Sequence, residues 1–95
     1  MEFEWDEAKR LINLEKHGID FGDLAEFWEG DLLNPAAVRD AGDELRLLAL
    51  GVTRGDGRII AVVYTVRGSA IRLISARRAS RYEREVFRSR FGYGE

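Results

Sequence analysis

The sequence contains no cysteine, one histidine and one proline in 95 residues. These scarcities exclude disulfides and the usual zinc sites, which are built from cysteines or from several histidines. The longest strongly apolar run, residues 59–66, is too short to cross a bilayer. The acidic start, residues 1–6, lacks the apolar segment of a signal peptide. We therefore expect a cytoplasmic protein with no metal site, no cofactor and no membrane contact. The carboxylates of the N-terminal half are expected to be solvated, and the alternative is a Mg²⁺ site among them.

The length of the chain limits the number of domains. Ninety-five residues make one domain, spanning 1–95, with no room for a second core. Hydrophobic residues make up 45 % and charged residues 34 %, both typical of a globular protein. We expect a modest core that a partner can further stabilise.

Charge is unevenly distributed although the formal net charge is only −2. Residues 1–44 contain four basic and thirteen acidic side chains, whereas residues 67–90 contain eight arginines, two glutamates and no lysine. The planar guanidinium group grips phosphate or carboxylate with two donors at once. The arginine-rich segment therefore predicts an anion-binding face. The alternative is a solvated basic helix that offsets the acidic half.

Two helices are expected in the first third of the chain. Phe3 and Trp5 predict a short half-buried strand, and Asp6 then caps a helix that runs to about His17. Three apolar residues are expected on the buried face of that helix: Ala8, Leu11 and Ile12. Gly18 supplies the left-handed stop.

The second helix is expected to begin at Asp20 and end at Gly30. Ile19 and Leu24 have the spacing of a hydrophobic staple around that cap. Its apolar residues recur at helical spacing: Phe21, Leu24, Ala25 and Trp28.

Four segments have strand character: residues 32–38, 45–53, 59–66 and 71–76. Pro35 confines the first to an edge of the sheet. Residues 54–58, rich in glycine and charge, predict a hairpin turn. The third segment is apolar on both faces, which is typical of a central strand covered on both sides.

Ser80 and Glu83 form a capping box that starts a last helix, ending at about Arg90. Three residues are expected to pack it on the sheet: Tyr82, Val86 and Phe87. Four arginines at helical spacing are expected on one stripe: Arg77, Arg81, Arg84 and Arg88. The predicted fold is α+β, with two N-terminal helices, an antiparallel sheet of about four strands and a C-terminal helix.

Most enzyme templates are absent. No glycine-rich phosphate loop follows a strand, and no serine sits in a nucleophile elbow. Arginines, one histidine and a few carboxylates remain, and such a set can cleave RNA without a metal. The 2′-hydroxyl attacks the adjacent phosphorus, a base takes its proton, cations stabilise the phosphorane oxygens, and an acid protonates the leaving 5′-oxygen.

Residue types suggest these roles. Arg67 and Arg77 end two strands, so we expect them to clamp the phosphate, where rigid backbone meets a groove. Glu44 is the proposed base, and His17 or Lys16 the proposed acid. Each has a structural alternative: His17 can be a C-cap residue, Glu44 can pair with Arg46, and outward-facing Arg72 can be solvated or ion-paired.

Several motifs together resemble the BrnT toxin family. They are Phe3-Glu4-Trp5-Asp6-Glu7, Lys9, Asn13, Lys16-His17-Gly18 with Phe21, residues 46–51, Val63-Tyr64-Thr65 with Arg67, Arg72 with Ile74-Ser75-Ala76-Arg77-Arg78-Ala79, and Glu83. They occur in the family's order and span nearly the whole chain.

The resemblance implies a bacterial type II toxin with a RelE-like fold that acts as a ribonuclease, blocks translation and arrests growth. It also implies a BrnA-type antitoxin with a ribbon-helix-helix part. The pair is expected to form a heterotetramer that represses its own operon, so DNA is contacted only through the antitoxin. The positions that match the family's motifs are Lys16, His17, Arg46, Arg67, Arg77 and Arg78.

The arginines outside those positions are interpreted from charge and spacing alone. We expect RNA binding by Lys16, Arg46, Arg72, Arg78, Arg81, Arg84 and Arg88. Two other functions fit an arginine-rich face: a non-catalytic module that binds RNA or an acidic protein, and a gyrase-directed toxin on a related fold.

Overall fold

The computed structural model describes residues 2–33, 37–38, 45–53 and 57–92, and only the backbone of 37–38. The strands are β1 (Glu2–Glu4), β2 (Leu32–Leu33), β3 (Ala37–Val38), β4 (Arg46–Val52), β5 (Ile59–Arg67) and β6 (Ala70–Arg78). The helices are α1 (Glu7–His17), α2 (Arg81–Phe91) and two short 3₁₀ helices, Phe21–Asp23 and Glu26–Glu29. In this part of the chain, no helix is long and apolar enough to span a bilayer.

The α+β class is confirmed, but the sheet differs from the prediction. Within the described ranges it has six strands in the order β1-β6-β5-β4-β2, and β3 also pairs with β4. Its pairings are antiparallel except for β1, which lies parallel to β6. The sheet is therefore mixed, because the first and last strands of the chain meet, and local patterns carry no information about such a distant pairing.

Strand β5 lies at the centre of the sheet, as its apolar pattern predicted. Ile60, Ala61 and Val62 are completely buried, so consecutive residues are covered on opposite faces. The hairpin from β4 to β5 is confirmed by the pairing of Val52 with Ile59. Residues 54–56 of its predicted turn, like Pro35 of the predicted edge segment, fall outside the described residues.

Two hydrophobic layers enclose the sheet. On one face, Phe21 and Phe27 of the 3₁₀ helices, with Leu24 between these helices, cover Ile60 and Val62. On the other face, Phe87 of α2 packs with buried residues of β4 and β5, including Leu50 and Ala61. Burial of side chains of this size on both faces is the main driving force for folding.

The predicted second helix is wrong in type. The segment forms two 3₁₀ helices, although Asp20 caps the first as expected by accepting a hydrogen bond from Gly22 N at 3.0 Å. Its buried residues Phe21, Leu24 and Phe27 are three apart, which matches the three residues per turn of a 3₁₀ helix. Trp28 packs on this layer, whereas Ala25 is exposed.

The bounds of α1 are confirmed, but its predicted buried face is wrong. Asp6 accepts from the N–H groups of Ala8 and Lys9, and Gly18 has the left-handed φ of 72°. Leu11 and Ile12, however, are 51 % and 62 % exposed, and Ala8 is exposed too. The buried residue is Asn13, because α1 lies along the edge of β6 instead of across the sheet.

Helix α2 begins with the predicted capping box of Ser80 and Glu83. Phe87 is fully buried and Val86 is half-buried, but Tyr82 is 74 % exposed, which corrects its predicted packing. Tyr82 lies five residues before Phe87, about 140° around the helix at 100° per residue. Only a narrow face of α2 meets the sheet.

Candidate functional site

Helix α2 covers only part of one face of the sheet. It packs on β4 and β5 near Leu50 and Ala61, and within the described ranges it does not extend over the Arg67 end of this face. We call this end of the α2 side the open face; it carries Arg46, Arg67 and Arg72, with the buried Thr65 among them.

Strand register assembles this open face. Residues 61, 63, 65 and 67 of β5 alternate onto the α2 side. Thr65 pairs with Arg72, and Arg67 pairs with Ala70, so both arginines lie at the same end of the same face. The register of β4 continues one step from the pairing of Leu47 with Tyr64, which places Arg46 beside Thr65. Three neighbouring strands thus each contribute one guanidinium.

Two polar contacts hold the open face together. The buried Thr65 hydroxyl donates to the carbonyl of Leu45 at 2.8 Å and fixes the start of β4 against β5. Arg72 donates to Glu4 at 3.1 Å, and the parallel β1–β6 register sets Glu4 directly opposite Arg72. Arg67 is exposed, and Arg46 is half-buried.

A shallow groove adjoins the open face at the edge of β6. We call it the edge groove; its volume is about 190 Å³, and it is lined by Lys9, Ile12, Asn13, Lys16, His17, Ile74 and Ser75. A β-bulge shapes it, because Val63 pairs with Ser75 while Tyr64 pairs with Leu73, which leaves Ile74 as an extra residue. The bulge turns Ser75 onto the α2 side of the sheet.

Lys16 and His17 reach this groove because α1 is anchored to β6. Their positions in the last turn also suit the negative end of the helix dipole. His17 is half-buried and Lys16 exposed. The structure therefore brings together four of the sequence-predicted cationic residues on the open face and its edge: Lys16, Arg46, Arg67 and Arg72, with His17 beside them.

Arg77 is not part of this assembly, which corrects the predicted joint clamp with Arg67. Arg77 pairs with Ala61, whereas Arg67 pairs with Ala70. They are thus separated by about six strand positions, roughly 20 Å at 3.3 Å per residue. In this structure Arg77 does not face Arg67, because its guanidinium group is directed to Glu83.

Arg77 grips a carboxylate of α2 instead. Its two terminal nitrogens donate to the two oxygens of Glu83 at 2.8 and 3.0 Å. Hydrogen bonding to Arg77 and to Ser80 N lowers the pKa of Glu83 to about 2, and the same pair raises the pKa of Arg77. Glu83 also completes the capping box, so the ion pair locks the start of α2 to β6.

The remaining predicted RNA-binding residues lie elsewhere. Arg78 is exposed at the far end of β6, opposite Ile60. On α2, Arg81 pairs with Glu85 at 3.4 Å, and Arg84 donates to the carbonyl of Ala79 at 2.7 Å.

The predicted stripe of four arginines is also corrected. Glu83, which holds Arg77, lies about 130° around α2 from the row of Arg81, Arg84 and Arg88, at 100° per residue. Arg77 is therefore not part of that row, and Arg88 is exposed on the same flank as Arg81. Glu44, the proposed base, lies outside the described residues.

Sequence analysis named Lys9 and Ser75 as motif residues but did not predict that they line this groove. Lys9 and Lys16 are seven residues apart, a spacing that returns to the same side of a helix and was a readable signal. No sequence pattern indicated that Ser75 lines the groove, because the bulge determines which side of the sheet its side chain faces.

Comparison with known proteins agrees with the sequence motifs. A family model described as the ribonuclease toxin BrnT of a type II toxin–antitoxin system matches residues 5–83. No curated protein matches the sequence. The matched region begins just after β1 and includes the whole of α1 and the three strands that carry the open face, β4, β5 and β6. The chain belongs to the BrnT family of ribonuclease toxins of type II toxin–antitoxin systems.

Proposed function

We propose that this toxin is a metal-independent endoribonuclease and that RNA is cleaved on the open face. The observation that carries the proposal is the register that gathers Arg46, Arg67 and Arg72 from three adjacent strands on one face of the sheet. Guanidinium groups on rigid strands are preorganised donors for phosphate oxygens.

Arg67 and Arg72 are proposed to hold the scissile phosphate and to stabilise the charge that develops on its oxygens. The attacking group is the substrate's own 2′-hydroxyl, so the protein need only remove one proton and supply another. His17, beside Lys16 at the edge groove, is the proposed acid for the 5′-oxygen. Glu44 remains the proposed base, on the sequence argument alone. Arg77 is proposed to act on the fold, through Glu83.

Metal independence follows from this division of roles. The negative charge of the transition state is met by arginines, and the leaving group by a protonated side chain, so neither step requires a Lewis acid. We therefore expect cleavage of RNA by the purified toxin in EDTA, with 2′,3′-cyclic phosphate ends on the product.

The test is the double variant Arg67→Ala with Arg72→Ala. A loss of about 100-fold or more in cleavage rate is expected, the scale of removing a charge-stabilising donor. Arg58→Ala is the matched control, since it removes one exposed arginine near the opposite end of β5. Full cleavage by the double variant, or products with 3′-hydroxyl ends, would refute the site or the chemistry. RNA binding without any cleavage would instead support a non-catalytic module.

In the cell, we propose that cleavage blocks translation and arrests growth in the cytoplasm. The partner is proposed to be a BrnA-type ribbon-helix-helix antitoxin that forms a heterotetramer with the toxin and binds DNA for both. Membership of a type II toxin–antitoxin family supports an antitoxin partner. Light scattering on the co-purified pair measures the stoichiometry. The RelE-like relationship of the fold stays a prediction.

A further inference from the structure

We propose that the edge groove is a second phosphate subsite, which binds the backbone phosphate of a nucleotide adjacent to the cleaved one. The ligand class is single-stranded RNA, and the residues newly assigned to it are Lys9 and Ser75. This inference rests on the proposed function, because it extends the RNA path from the open face onto α1.

The first argument is charge. Lys9 and Lys16 line the groove together with His17, and none of its described lining residues is acidic. Neither lysine is ion-paired with another described residue. The neighbouring Arg10 is in a different state, since it is held by Glu7 and Asp20 at 2.6–3.1 Å. One flank of α1 is thus neutralised internally, while the flank beside β6 keeps its positive charge.

The second argument is the fixed geometry of the groove. Asn13 forms three hydrogen bonds, to both backbone groups of Ala76 and to the carbonyl of Ile19. These bonds set α1 against β6, so that Lys9, Lys16 and Ser75 line one groove. A lysine ammonium presents donors on a flexible stem, and a serine hydroxyl supplies a further donor. Together they suit the non-bridging oxygens of a phosphodiester.

The third argument is the position relative to the open face. Ser75 pairs with Val63, and Arg72 pairs with Thr65, so the two sites are about two strand positions apart, or roughly 7 Å. They lie on the same side of the sheet. An extended RNA strand with one phosphate at Arg67 and Arg72 therefore brings a neighbouring phosphate to the edge groove.

The experiment measures binding separately from cleavage. A 2′-O-methyl RNA hexamer, which cannot be cut, is titrated by fluorescence anisotropy at several KCl concentrations, and a 2′-O-methyl dinucleotide is titrated by NMR. Lys9→Ala is expected to weaken hexamer binding several-fold and to reduce the log–log salt slope by about 0.7, the loss of one phosphate contact. Dinucleotide binding is expected to stay unchanged, because one phosphate occupies only the open face.

Lys9→Arg keeps the charge and is expected to restore the slope. Ser75→Ala is expected to weaken hexamer binding without changing the slope, since it removes a neutral donor. Arg58→Ala controls for the loss of one positive charge elsewhere. The subsite is refuted if Lys9→Ala behaves like Arg58→Ala in both affinity and slope, or if the intact toxin does not bind the hexamer.

The binding test of the subsite can succeed or fail independently of the cleavage test of the proposed function. If unmodified RNA is not cleaved but the Lys9 effect on hexamer binding is present, the proposed function fails and the subsite stands. If RNA is cleaved at Arg67 and Arg72 but Lys9→Ala leaves the slope unchanged, the subsite fails and the proposed function stands.

Discussion

The side chain of Asn13 hydrogen-bonds both backbone groups of Ala76, donating to the carbonyl at 2.9 Å and accepting from the N–H at 3.1 Å. Strand β1 pairs with β6 only as far as Arg72, and among the described residues no strand lies on the outer side of the rest of this edge. The amide of a helical residue takes the place of a strand at that point. It satisfies an edge that otherwise presents unpaired backbone groups.

Replacing Asn13 is therefore expected to destabilise the fold. Asn13→Ala leaves Ala76 and the Ile19 carbonyl without their partner in a buried site, which costs about 1–3 kcal/mol. Asn13→Asp is expected to be at least as harmful, because a carboxylate cannot donate to either carbonyl. The free energy of unfolding in urea measures both. Leu11→Ala, on the exposed side of α1, is the control and is expected to stay within about 0.5 kcal/mol. Equal stability of the Asn13 and Leu11 variants would contradict this role.

The ion pair of Arg77 and Glu83 predicts a dependence of stability on pH. In the folded protein the pKa of Glu83 is about 2, below its ordinary value of 4.5. The ion pair therefore stabilises the fold fully at pH above about 4.5. That stability is lost as the pH falls from about 4.5 toward 2. Glu83→Gln is expected to lower the unfolding free energy at pH 7 by roughly 1–3 kcal/mol. The difference between the two proteins should shrink toward pH 2, and a difference that stays constant with pH would refute the assignment.

A double-mutant cycle tests whether Arg77 acts only through Glu83. Arg77→Ala, Glu83→Ala and the double variant are expected to lose similar stability and to cleave RNA equally well below their melting temperatures. The physical reason is that both terminal nitrogens of Arg77 already donate to Glu83. If Arg77→Ala abolishes cleavage while Glu83→Ala does not, Arg77 has a direct part in the chemistry.

Gly51 is expected to tolerate no side chain. A Cβ at this position would lie 2.5 Å from Cε1 of Phe27, closer than carbon atoms approach. Gly51→Ala should therefore cost about 1–3 kcal/mol through overpacking. Phe27→Leu in the same chain is expected to recover part of the loss, since a smaller side chain leaves room for the methyl group. No recovery would show that backbone conformation, and not this contact, requires glycine.

Phe87 and Tyr82 of α2 were both expected to pack on the sheet, but their alanine variants should lose different amounts of stability in thermal unfolding. Phe87→Ala is expected to cost about 3–5 kcal/mol, because the ring is fully buried. Tyr82→Ala should change stability by less than about 0.5 kcal/mol, because Tyr82 is 74 % exposed. Comparable losses in the two variants would contradict the orientation of α2.

Local chemistry made several elements readable from the sequence. Asp6, Ser80 and Glu83 act within one turn of their own positions, so the starts of α1 and α2 followed from capping residues alone. The two-sided apolar run of β5 and the hairpin before it were readable for the same reason. The motifs around Lys16, Arg67 and Arg72 led to the family that the comparison then confirmed.

The tertiary structure decided which residues share a surface. The sequence placed Arg67 and Arg77 at strand ends, but antiparallel pairing puts those ends at opposite ends of the sheet, about six strand positions apart. Leu11 and Ile12 have the pattern of a buried face, yet α1 meets β6 through Asn13, since a strand edge needs hydrogen bonds more than apolar contact. A capping residue depends on neighbours within four positions, which sequence records directly. The open face and the edge groove depend on register, a bulge and the pairing of β1 with β6, and these are settled only when the whole chain has packed.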